Sequence, residues 1–403
     1  MRALLAESFR AAVAAADPLR VLPRHLPRPP RGRTYVAAAG KAAASMALAV
    51  ERAWPREAPL DGLAITRYGH GLPTRRVRVV EAGHPVPDAA GESAAREMLA
   101  AVRALGPEDL LLALVSGGGS SLLSLPAAGV PMEGLKAMTR ELLRCGANIQ
   151  EINTVRKHLS AIQGGRLAAS CRAPVLALIV SDVTGDDPTH IASGPCAPDP
   201  STIADAQAVL RKYGIAAPGP FFETPKPGDA LFARVENRIV ATARRSLEAA
   251  AAVFKARGIA PTILGDNIIG EARDVAVSMA ARARTLRRPS VLISGGECTV
   301  TVRASGGRGG RCAEFLLALA IELQGVAGIH AIAADTDGID GSEDNAGALL
   351  GPDTLERAQA KGIDAKRMLD ANDSYGFFAA LGDLVVTGPT RTNVNDYRAI
   401  LLA

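Results

Sequence analysis

The sequence predicts an α/β fold with helices on both faces of parallel sheets. Short, fully apolar segments alternate with helical patterns, as where residues 34–40 (TYVAAAG) precede an alanine-rich helical segment. Residues 110–116 (LLLALVS) and 173–180 (APVLALIV) are two more such segments. Strands that are apolar on both faces are typical of parallel sheets covered by helices on both sides. The same alternation of apolar strands and helical patterns occurs in both halves of the chain, which predicts the α/β class throughout.

The length of the chain and a proline- and glycine-rich segment predict more than one domain. The chain has 403 residues, 48% of them hydrophobic, which at roughly 150 residues per domain suffices for two domains or three. Residues 218–230 (PGPFFETPKPGDA) are rich in proline and glycine and break the alternating pattern. We place a division near residue 229, within a dozen residues, which predicts an N-terminal domain over 1–228 and a smaller C-terminal domain over 229–403.

Composition argues against several classes of protein. The formal charge of +5 is spread thinly, and aromatic residues make up only 3%, so we expect no nucleic-acid binding, whereas small anionic substrates fit the charge. The five cysteines form no C-x-x-C motif, which predicts a reduced, cytoplasmic protein without structural metal. Residues 1–22 show an amphipathic helical pattern, and no apolar run is long enough to span a membrane. Oligomeric state stays open, with a homodimer among the options.

Familiar nucleotide motifs are absent from the sequence. It contains no G-x-x-x-x-G-K-[ST] loop, no set of protein-kinase motifs and no G-x-G-x-x-G after a strand. Two other strand ends are candidates for an anion site. Residues 116–121 (SGGGSS) follow an apolar strand, where backbone N–H groups and a following helix can cradle an anion. Gly40-Lys41 occupies a similar junction, and a lysine there fits a bound anion as well as it fits an exposed side chain.

Aspartates follow two further strands. Asp182, Asp186 and Asp187 lie in residues 181–195, and Asp335, Asp337 and Asp340 lie in residues 335–347. Carboxylates at the open end of a sheet suit Mg²⁺ binding or the removal of a hydroxyl proton. The alternative is turn chemistry, because aspartate, glycine and proline are turn residues. The loop 387–398 adds hydrogen-bonding side chains, namely Thr390, Thr392, Asn393, Asn395 and Asp396.

Glycine and arginine are concentrated in residues 294–315 (SGGECTVTVRASGGRGGRCAEF). We predict a glycine turn, a short strand over 299–304 with Arg303 on the surface, and an anion-facing segment GGRGGR that leads into a helix starting at Arg311. A structural hairpin is the other interpretation of the same glycines. The triplet Arg156-Lys157-His158, on a predicted amphipathic helix, is interpreted by default as a solvated charged face.

Together these features favour phosphoryl transfer, in which positioning and charge neutralisation do most of the work. The motifs GHPVPD (83–88), SGGGSSLL, EINTVRKHLSAIQGGRLA, SDVTGDDPTHIASGP, SGGECTVTV, GGRGGRCAEF, DTDGIDG and TGPTRTNVND resemble those of the glycerate 2-kinases of the MOFRL family. They run in order from about residue 35 to 396, so the resemblance covers nearly the whole chain. It implies a Rossmann-like N-terminal domain, a C-terminal MOFRL-type α/β domain and an active site in the cleft between them. It also implies transfer of the γ-phosphoryl group of ATP, with Mg²⁺, to the 2-hydroxyl of D-glycerate, a reaction of serine and glyoxylate metabolism.

The resemblance implies roles for individual residues. The catalytic residues would be Lys41, Asp182, Arg311 and Asp337. Either aspartate would take the hydroxyl proton while the other orients Mg²⁺, so both are candidate metal ligands. We expect nucleotide or phosphate contacts from Ser116, Gly117, Gly118, Gly119, Ser120, Ser121, Gly295, Gly296, Glu297, Asn393 and Asn395. We expect substrate contacts from Arg156, Lys157, Thr184, Asp187 and Gly310.

Two other functions remain as alternatives. Family members are often labelled hydroxypyruvate reductases, but a nicotinamide-dependent reductase would need the dinucleotide fingerprint that is missing. A non-catalytic regulator that binds a phosphosugar or a nucleotide would need the glycine loops but not the aspartates at the strand ends. Both alternatives are therefore less favoured than the kinase.

Overall fold

The computed structural model describes residues 1–304 and 306–403. Their contacts group into two compact units, which we call the N-terminal unit (Pro18–Val240) and the C-terminal unit (Met1–Asp17 with Ala241–Ala403). The division near residue 229 stays a prediction of domain organisation, whereas the contacts divide the chain after Val240. The first helix of the chain packs within the C-terminal unit.

The helices and strands alternate along much of the chain. In the first part they are α1 (Arg2–Ala15), α2 (Pro18–Val21), β1 (Thr34–Ala39), α3 (Ala43–Ala53), β2 (Leu60–Arg67), β3 (Val77–Ala82), α4 (Ala89–Arg103), β4 (Leu110–Ser116), α5 (Gly119–Leu122), α6 (Met132–Arg144), α7 (Ile149–His158), α8 (Arg166–Ala169), β5 (Val175–Val180), α9 (Ile203–Tyr213) and β6 (Val235–Ala241). In the second part they are α10 (Ala243–Lys255), β7 (Ala260–Gly265), β8 (Gly270–Glu271), α11 (Ala272–Ala283), β9 (Ser290–Gly296), β10 (Cys298–Thr299), α12 (Arg311–Leu323), β11 (Ile329–Asp335), β12 (Gly347–Leu350), α13 (Thr354–Ala360), α14 (Ala365–Asp370), α15 (Ser374–Leu381), β13 (Leu384–Val385) and β14 (Asp396–Leu402). None of the helices in the described part of the chain is long and apolar enough to cross a membrane.

The N-terminal unit contains the sheet that the sequence predicts. Its strand order is β3-β2-β1-β4-β5-β6, and strands β1 to β5 pair in parallel. Every residue of β1, β4 and β5 is buried, because helices cover both faces of the sheet. The core on one face of the sheet includes Met98 and Leu99 of α4. Met46 and Val50 of α3 are fully buried as well. The predicted α/β class is confirmed.

The C-terminal unit contains a mixed sheet of order β13-β12-β11-β14-β9-β7. Only β7 and β9 pair in parallel, and the other four pairs are antiparallel. The expectation of a parallel sheet is therefore wrong for most of this unit. An apolar strand sequence indicates that both faces of the strand are buried. The direction of the neighbouring strand depends instead on the connections between strands.

Residues 294–315 differ from the prediction. The strand expected over 299–304 ends at Thr299, and β10 pairs with β8 in parallel, so the described residues form no hairpin here. Beyond Thr299 the backbone bonds to side chains instead, since the N–H group of Arg303 donates to Asn372 Oδ1 at 2.7 Å. Arg303 is exposed, as predicted, and the predicted helix does begin at Arg311.

Helix α1 is amphipathic, as predicted, and its apolar face lies in the core of the C-terminal unit. Leu5, Phe9 and Ala12 are buried beside Phe254 of α10. The rings of Phe9 and Tyr397 have centroids 6.0 Å apart, and the Tyr397 hydroxyl lies 2.8 Å from Ser8 Oγ. Residues from the two ends of the chain therefore share one core.

We predict that Phe9→Ala destabilises the C-terminal unit. The ring is 2% exposed, so its removal leaves a cavity, and such changes cost about 3–5 kcal/mol. The measurement is the urea midpoint of unfolding, with Val277→Ala as the control, since Val277 is 47% exposed and lies outside this core. Equal midpoints for the two variants would contradict the packing described for α1.

Candidate active site

Two predicted anion-binding segments meet in the N-terminal sheet where the strand order reverses. Gly40-Lys41 follows β1, the glycine loop 117–119 follows β4, and these strands are parallel neighbours. The Lys41 N–H donates to the Gly117 carbonyl at 2.8 Å, and the Ala42 N–H donates to Ser116 Oγ at 3.1 Å. Ligands of open α/β sheets bind at this position, beyond the carboxyl ends of the strands.

Glycine is required in this loop because other groups approach its backbone closely. Gly118 has φ +81°, and a Cβ atom there would lie 2.9 Å from His84 Nε2 and 3.2 Å from Lys41 Cγ. Gly40 has φ +128°, and its Cβ would lie 2.2 Å from Ser116 Oγ. The side chains of Lys41 and His84 thus lie against the loop. His84 belongs to the quoted GHPVPD motif, but its side chain was not predicted as a site residue.

The glycine loop presents free backbone donors. Within residues 1–304 and 306–403, no protein acceptor takes the N–H groups of Gly118, Gly119 and Ser120. Successive N–H groups of this kind form a concave anion site. The predicted contribution of a following helix is small, because α5 has only four residues. The anion hypothesis therefore rests on these donors and on Lys41.

The loop is supported from behind by polar side chains. The Ser120 carbonyl accepts hydrogen bonds from the Arg156 guanidinium and, at 2.8 Å, from Gln163 Nε2. Ser120 Oγ lies 2.8 Å from Ser193 Oγ, which in turn donates to Asn153 Oδ1 at 3.2 Å. Burial lowers the pKa of Arg156 to about 10, so this side chain stays charged at neutral pH. Its observed partner indicates that Arg156 positions the loop.

The interpretation of Arg156-Lys157-His158 as a solvated face is wrong. Lys157 is 3% exposed, and its Nζ lies 3.4 Å from Asp199 Oδ1. His158 is fully buried, with Nε2 3.1 Å from Glu223 Oε1. Burial lowers the pKa of Lys157. Partners more than forty residues away along the chain make the burial of these charges possible, and helical spacing alone gave no sign of them.

The aspartate loop after β5 lies at the same sheet edge as the glycine loop, because β5 is the parallel neighbour of β4. The Asp182 side chain is half-buried, whereas Thr184 and Asp187 are exposed. Asp187 Oδ1 accepts the Thr189 N–H at 2.9 Å, which is the turn chemistry considered as the alternative. In this segment Asp182 and Asp186 are half-buried, whereas Asp187 is exposed and bonded within its own turn.

The C-terminal unit surrounds Arg311 with carboxylates. Arg311 Nε donates to Asp396 Oδ1 and Nη2 to Asp335 Oδ2, both at 2.7 Å. Nη1 lies 3.4 Å from Glu297 Oε1, whose side chain is 58% exposed. These carboxylates meet because Asp335 ends β11, Asp396 begins β14 and Glu297 follows β9, and β14 pairs antiparallel with both of the other strands. Although burial opposes the charge, the carboxylates raise the pKa of Arg311.

A second arginine, absent from the sequence predictions, completes this network. Arg398 is fully buried and donates to Asp396 Oδ2 at 2.8 Å. It also donates to the carbonyls of Gly295 and Gly296 at 3.2 and 3.3 Å, so these carbonyls hold Arg398. A single charge inside the apolar strand YRAILL was the only sequence signal for this residue.

The start of helix α12 is already occupied by a carboxyl group of the chain itself. Asp340 Oδ1 and Oδ2 accept the N–H groups of Cys312 and Ala313 at 2.9 and 2.8 Å. A Cβ atom at Gly310 would lie 2.2 Å from Asp340 Oδ1, so this glycine admits the carboxylate. These two N–H groups are therefore not available to an external anion, and the prediction that GGRGGR faces an anion depends on the Arg311 side chain. Burial raises the pKa of Asp340 to about 7.

The remaining predicted residues lie in two interlocked loops of the C-terminal unit. Asp337 is 1% exposed, and its Oδ1 accepts the Ile339 N–H at 2.9 Å. Asn393 and Asn395 are buried, and the Asn395 carbonyl accepts the Thr336 hydroxyl at 2.6 Å. Asn395 has φ +64°, a conformation rare outside glycine. Across the described chain, no three His, Cys, Asp or Glu side chains gather as a metal site.

Comparisons with known proteins cover the whole chain. A domain of unknown function, DUF4147, matches residues 4–221, and the MOFRL family matches residues 290–396. A protein of Agrobacterium vitis, provisionally named a hydroxypyruvate reductase, is 52% identical over 100% of this chain and 94% of its own length. The D-glycerate 2-kinase of Thermotoga maritima is 39% identical over 98% of this chain and 97% of its own length. The crystal structure of a glycerate kinase from Thermotoga maritima matches with a TM-score of 0.88 at 37% identity, covering 100% of this chain and 99% of that chain.

We predict that Asp340 makes the protein less stable as pH rises toward 7. Its folded pKa of about 7 exceeds the ordinary value, so between pH 4 and 7 the folded chain keeps a proton that the unfolded chain has lost. The free energy of unfolding then falls with pH, by about 2 kcal/mol between pH 5 and 7 for one such group. Asp340→Asn should remove this part of the decline.

The measurement is urea unfolding at pH 5, 6 and 7 for the wild type and Asp340→Asn. Asp274→Asn is the matched control, because Asp274 is exposed in the first turn of α11. A pH dependence that is the same in all three proteins would mean that Asp340 is ionised throughout this range.

Proposed function

The chain belongs to the MOFRL family, and on that basis we propose that it is a glycerate 2-kinase. It transfers the γ-phosphoryl group of ATP to the 2-hydroxyl of D-glycerate and so produces 2-phosphoglycerate and ADP. The relative named D-glycerate 2-kinase and the glycerate kinase structure match nearly the whole chain, which supports the kinase assignment. The resemblance predicted from the motifs is confirmed at the level of the family.

The observation that carries the proposal is the position of Lys41 against the glycine loop. Lys41 and three backbone N–H groups without protein acceptors occupy the carboxyl ends of adjacent parallel strands. In the proposed reaction, the N–H groups of Gly118, Gly119 and Ser120 bind phosphate oxygens. Lys41 neutralises charge on the transferring group, which is the main task in phosphoryl transfer.

Arg311 has a related proposed role in the C-terminal unit. Asp396 and Asp335 hold its Nε and Nη2 edges, so its orientation is set before any substrate binds. Among the described residues, the acidic side chain that pairs with its Nη1 is Glu297, which is mostly exposed. We expect this outer side to interact with phosphate or with the carboxylate of glycerate, both of which match a planar guanidinium.

The aspartates suit a magnesium ion that takes most of its ligands from the nucleotide. Mg²⁺ commonly binds one or two protein carboxylates together with substrate phosphates and water. The candidates for this role are Asp182, which is half-buried, and Asp337, whose Oδ1 accepts the Ile339 N–H group. When bound, the ion supplies neutralisation of phosphate charge. One of the two aspartates takes the 2-hydroxyl proton and the other orients the ion.

The reductase name of the Agrobacterium vitis relative raises a second candidate function. The turn between β1 and α3 reads Gly40-Lys41-Ala42 and has one glycine. A nicotinamide dinucleotide site needs glycines for the tight turn, for the approach of the pyrophosphate and for helix packing. This segment therefore supports the kinase better than the reductase.

We predict that Lys41→Ala lowers kcat for phosphorylation of D-glycerate by about 10²–10³-fold, the usual effect of removing one group that stabilises transition-state charge. Turnover is measured as ADP release with ATP, Mg²⁺ and D-glycerate. Lys366→Ala is the control, since Lys366 is exposed on α14. Near-normal turnover in Lys41→Ala would refute the role assigned to this lysine.

We predict that Arg311→Lys also lowers kcat. A lysine has a single ammonium group, which cannot pair with Asp396 and Asp335 and also present a donor on the outer side. The expected loss is about tenfold or more, the consequence of a misplaced charge in the site. Arg308→Lys is a control from the same glycine-rich segment, since Arg308 is exposed. Equal kcat values for the two variants would remove Arg311 from the proposed site.

The reaction and its regiochemistry are tested together. Phosphorus NMR of the product should show 2-phosphoglycerate, and a product that is only 3-phosphoglycerate would refute the proposed position of transfer. Incubation of the protein with NADH and hydroxypyruvate should leave the NADH absorbance constant. Steady NADH oxidation would favour the reductase.

A further inference from the structure

An arginine-lined cleft lies outside the candidate active site. It has a volume of about 720 Å³ and lies between the C-terminal end of α3 and the segment that leads into β3. Helix α3 begins beside Lys41 and ends at this cleft, and its 11 residues span roughly 16 Å at 1.5 Å per residue. The cleft is therefore at the amino-terminal edge of the parallel sheet, opposite the edge that carries the glycine loop.

The cleft has an excess of positive charge, with four arginines and one glutamate in its lining, although the Arg76 guanidinium also donates to the Pro55 and Ala58 carbonyls. Arg52, Arg56, Arg75 and Arg76 line it, and none of them forms an ion pair with an acidic side chain of residues 1–304 or 306–403. The acid that lines the cleft, Glu51, is committed to the backbone. Its carboxylate accepts the N–H groups of Arg75 and Arg76 at 2.7 and 2.8 Å.

The indole ring of Trp54 borders the same arginines. Trp54, the single tryptophan of the chain, lines the cleft and is 3% exposed. Its Nε1–H group is buried and has no acceptor among the described residues. An atom enclosed in this way does not face the solvent in the cleft, but the indole ring borders the four cationic groups and can report on a ligand bound among them.

We propose that this cleft binds a small phosphate-bearing molecule with two or more negative charges, such as an organic polyphosphate. Guanidinium groups match phosphate oxygens in pairs, and several of them together require a polyanion, since a single carboxylate would leave most of the charge uncompensated. The concave shape and limited volume fit a small molecule better than an extended polymer. This proposal is independent of the kinase function, because the cleft shares no residue with the candidate active site.

Trp54 provides a direct test. The probe is inorganic tripolyphosphate, titrated into the full chain without Mg²⁺ at constant low ionic strength, and the signal is tryptophan emission. We expect a saturable change that weakens as salt is added, because salt screens exposed charges. In Arg52→Ala/Arg75→Ala the apparent Kd should rise by about tenfold or more, as expected when charge-assisted hydrogen bonds are lost.

Two controls keep the test specific. Arg103→Ala/Arg144→Ala removes two exposed arginines from the last turns of α4 and α6 and should change the Kd by less than about twofold. Lys41→Ala should leave the titration unchanged, because the signal arises at the other edge of the sheet. Circular dichroism confirms that each variant is folded.

Three results would overturn the proposal. The first is the absence of a saturable emission change at millimolar tripolyphosphate. The second is an equal Kd in the wild type and Arg52→Ala/Arg75→Ala. The third is tighter binding of oligoglutamate or single-stranded DNA than of tripolyphosphate, which would assign the cleft to an acidic macromolecule.

Discussion

The order of strands in the N-terminal sheet decides where this protein can bind an anion. Because β1 and β4 are parallel neighbours, the turns that follow them open at the same edge. Helices α3 and α4 return along the sheet from the ends of β1 and β3, which leaves that edge open between them. Lys41 and the glycine loop meet for this reason, although 75 residues separate Lys41 from Ser116 in the sequence. The glycines then matter because a side chain would fill the small space between loop, lysine and His84.

The C-terminal unit depends on a different constraint, the need to pair buried charges. Asp396 is shared by Arg311 and Arg398, and Asp335 binds Arg311 from the neighbouring strand. A buried ion is strongly destabilising when it loses its partner. The network therefore fixes the Arg311 guanidinium in one orientation, which is what a group that acts by charge neutralisation requires. The same network explains why the Gly295 and Gly296 carbonyls point to Arg398.

Arginine serves two opposite purposes in this chain. Arg311 is surrounded by carboxylates, so its charge is largely balanced within the protein. The four arginines near Trp54 form no ion pair with an acidic side chain of the described residues, and Glu51, which lines their cleft, accepts backbone N–H groups. Balanced charge gives a rigid group, whereas unbalanced charge in a concave surface attracts an external anion. The contrast separates the candidate active site from the second anion site that we propose.

The sequence by itself determined the α/β class, the strand-end positions of Gly40-Lys41 and SGGGSS, and the start of the helix at Arg311. These features depend on local signals, namely apolar runs, glycine at tight turns and helical periodicity. Tertiary structure alone decided the direction of the strands in the second sheet, the burial of Lys157 and His158 and the capping of α12 by Asp340. Each of these depends on a partner that is distant in the sequence, such as Asp199 for Lys157, and local pattern carries no information about which distant residue will supply that partner.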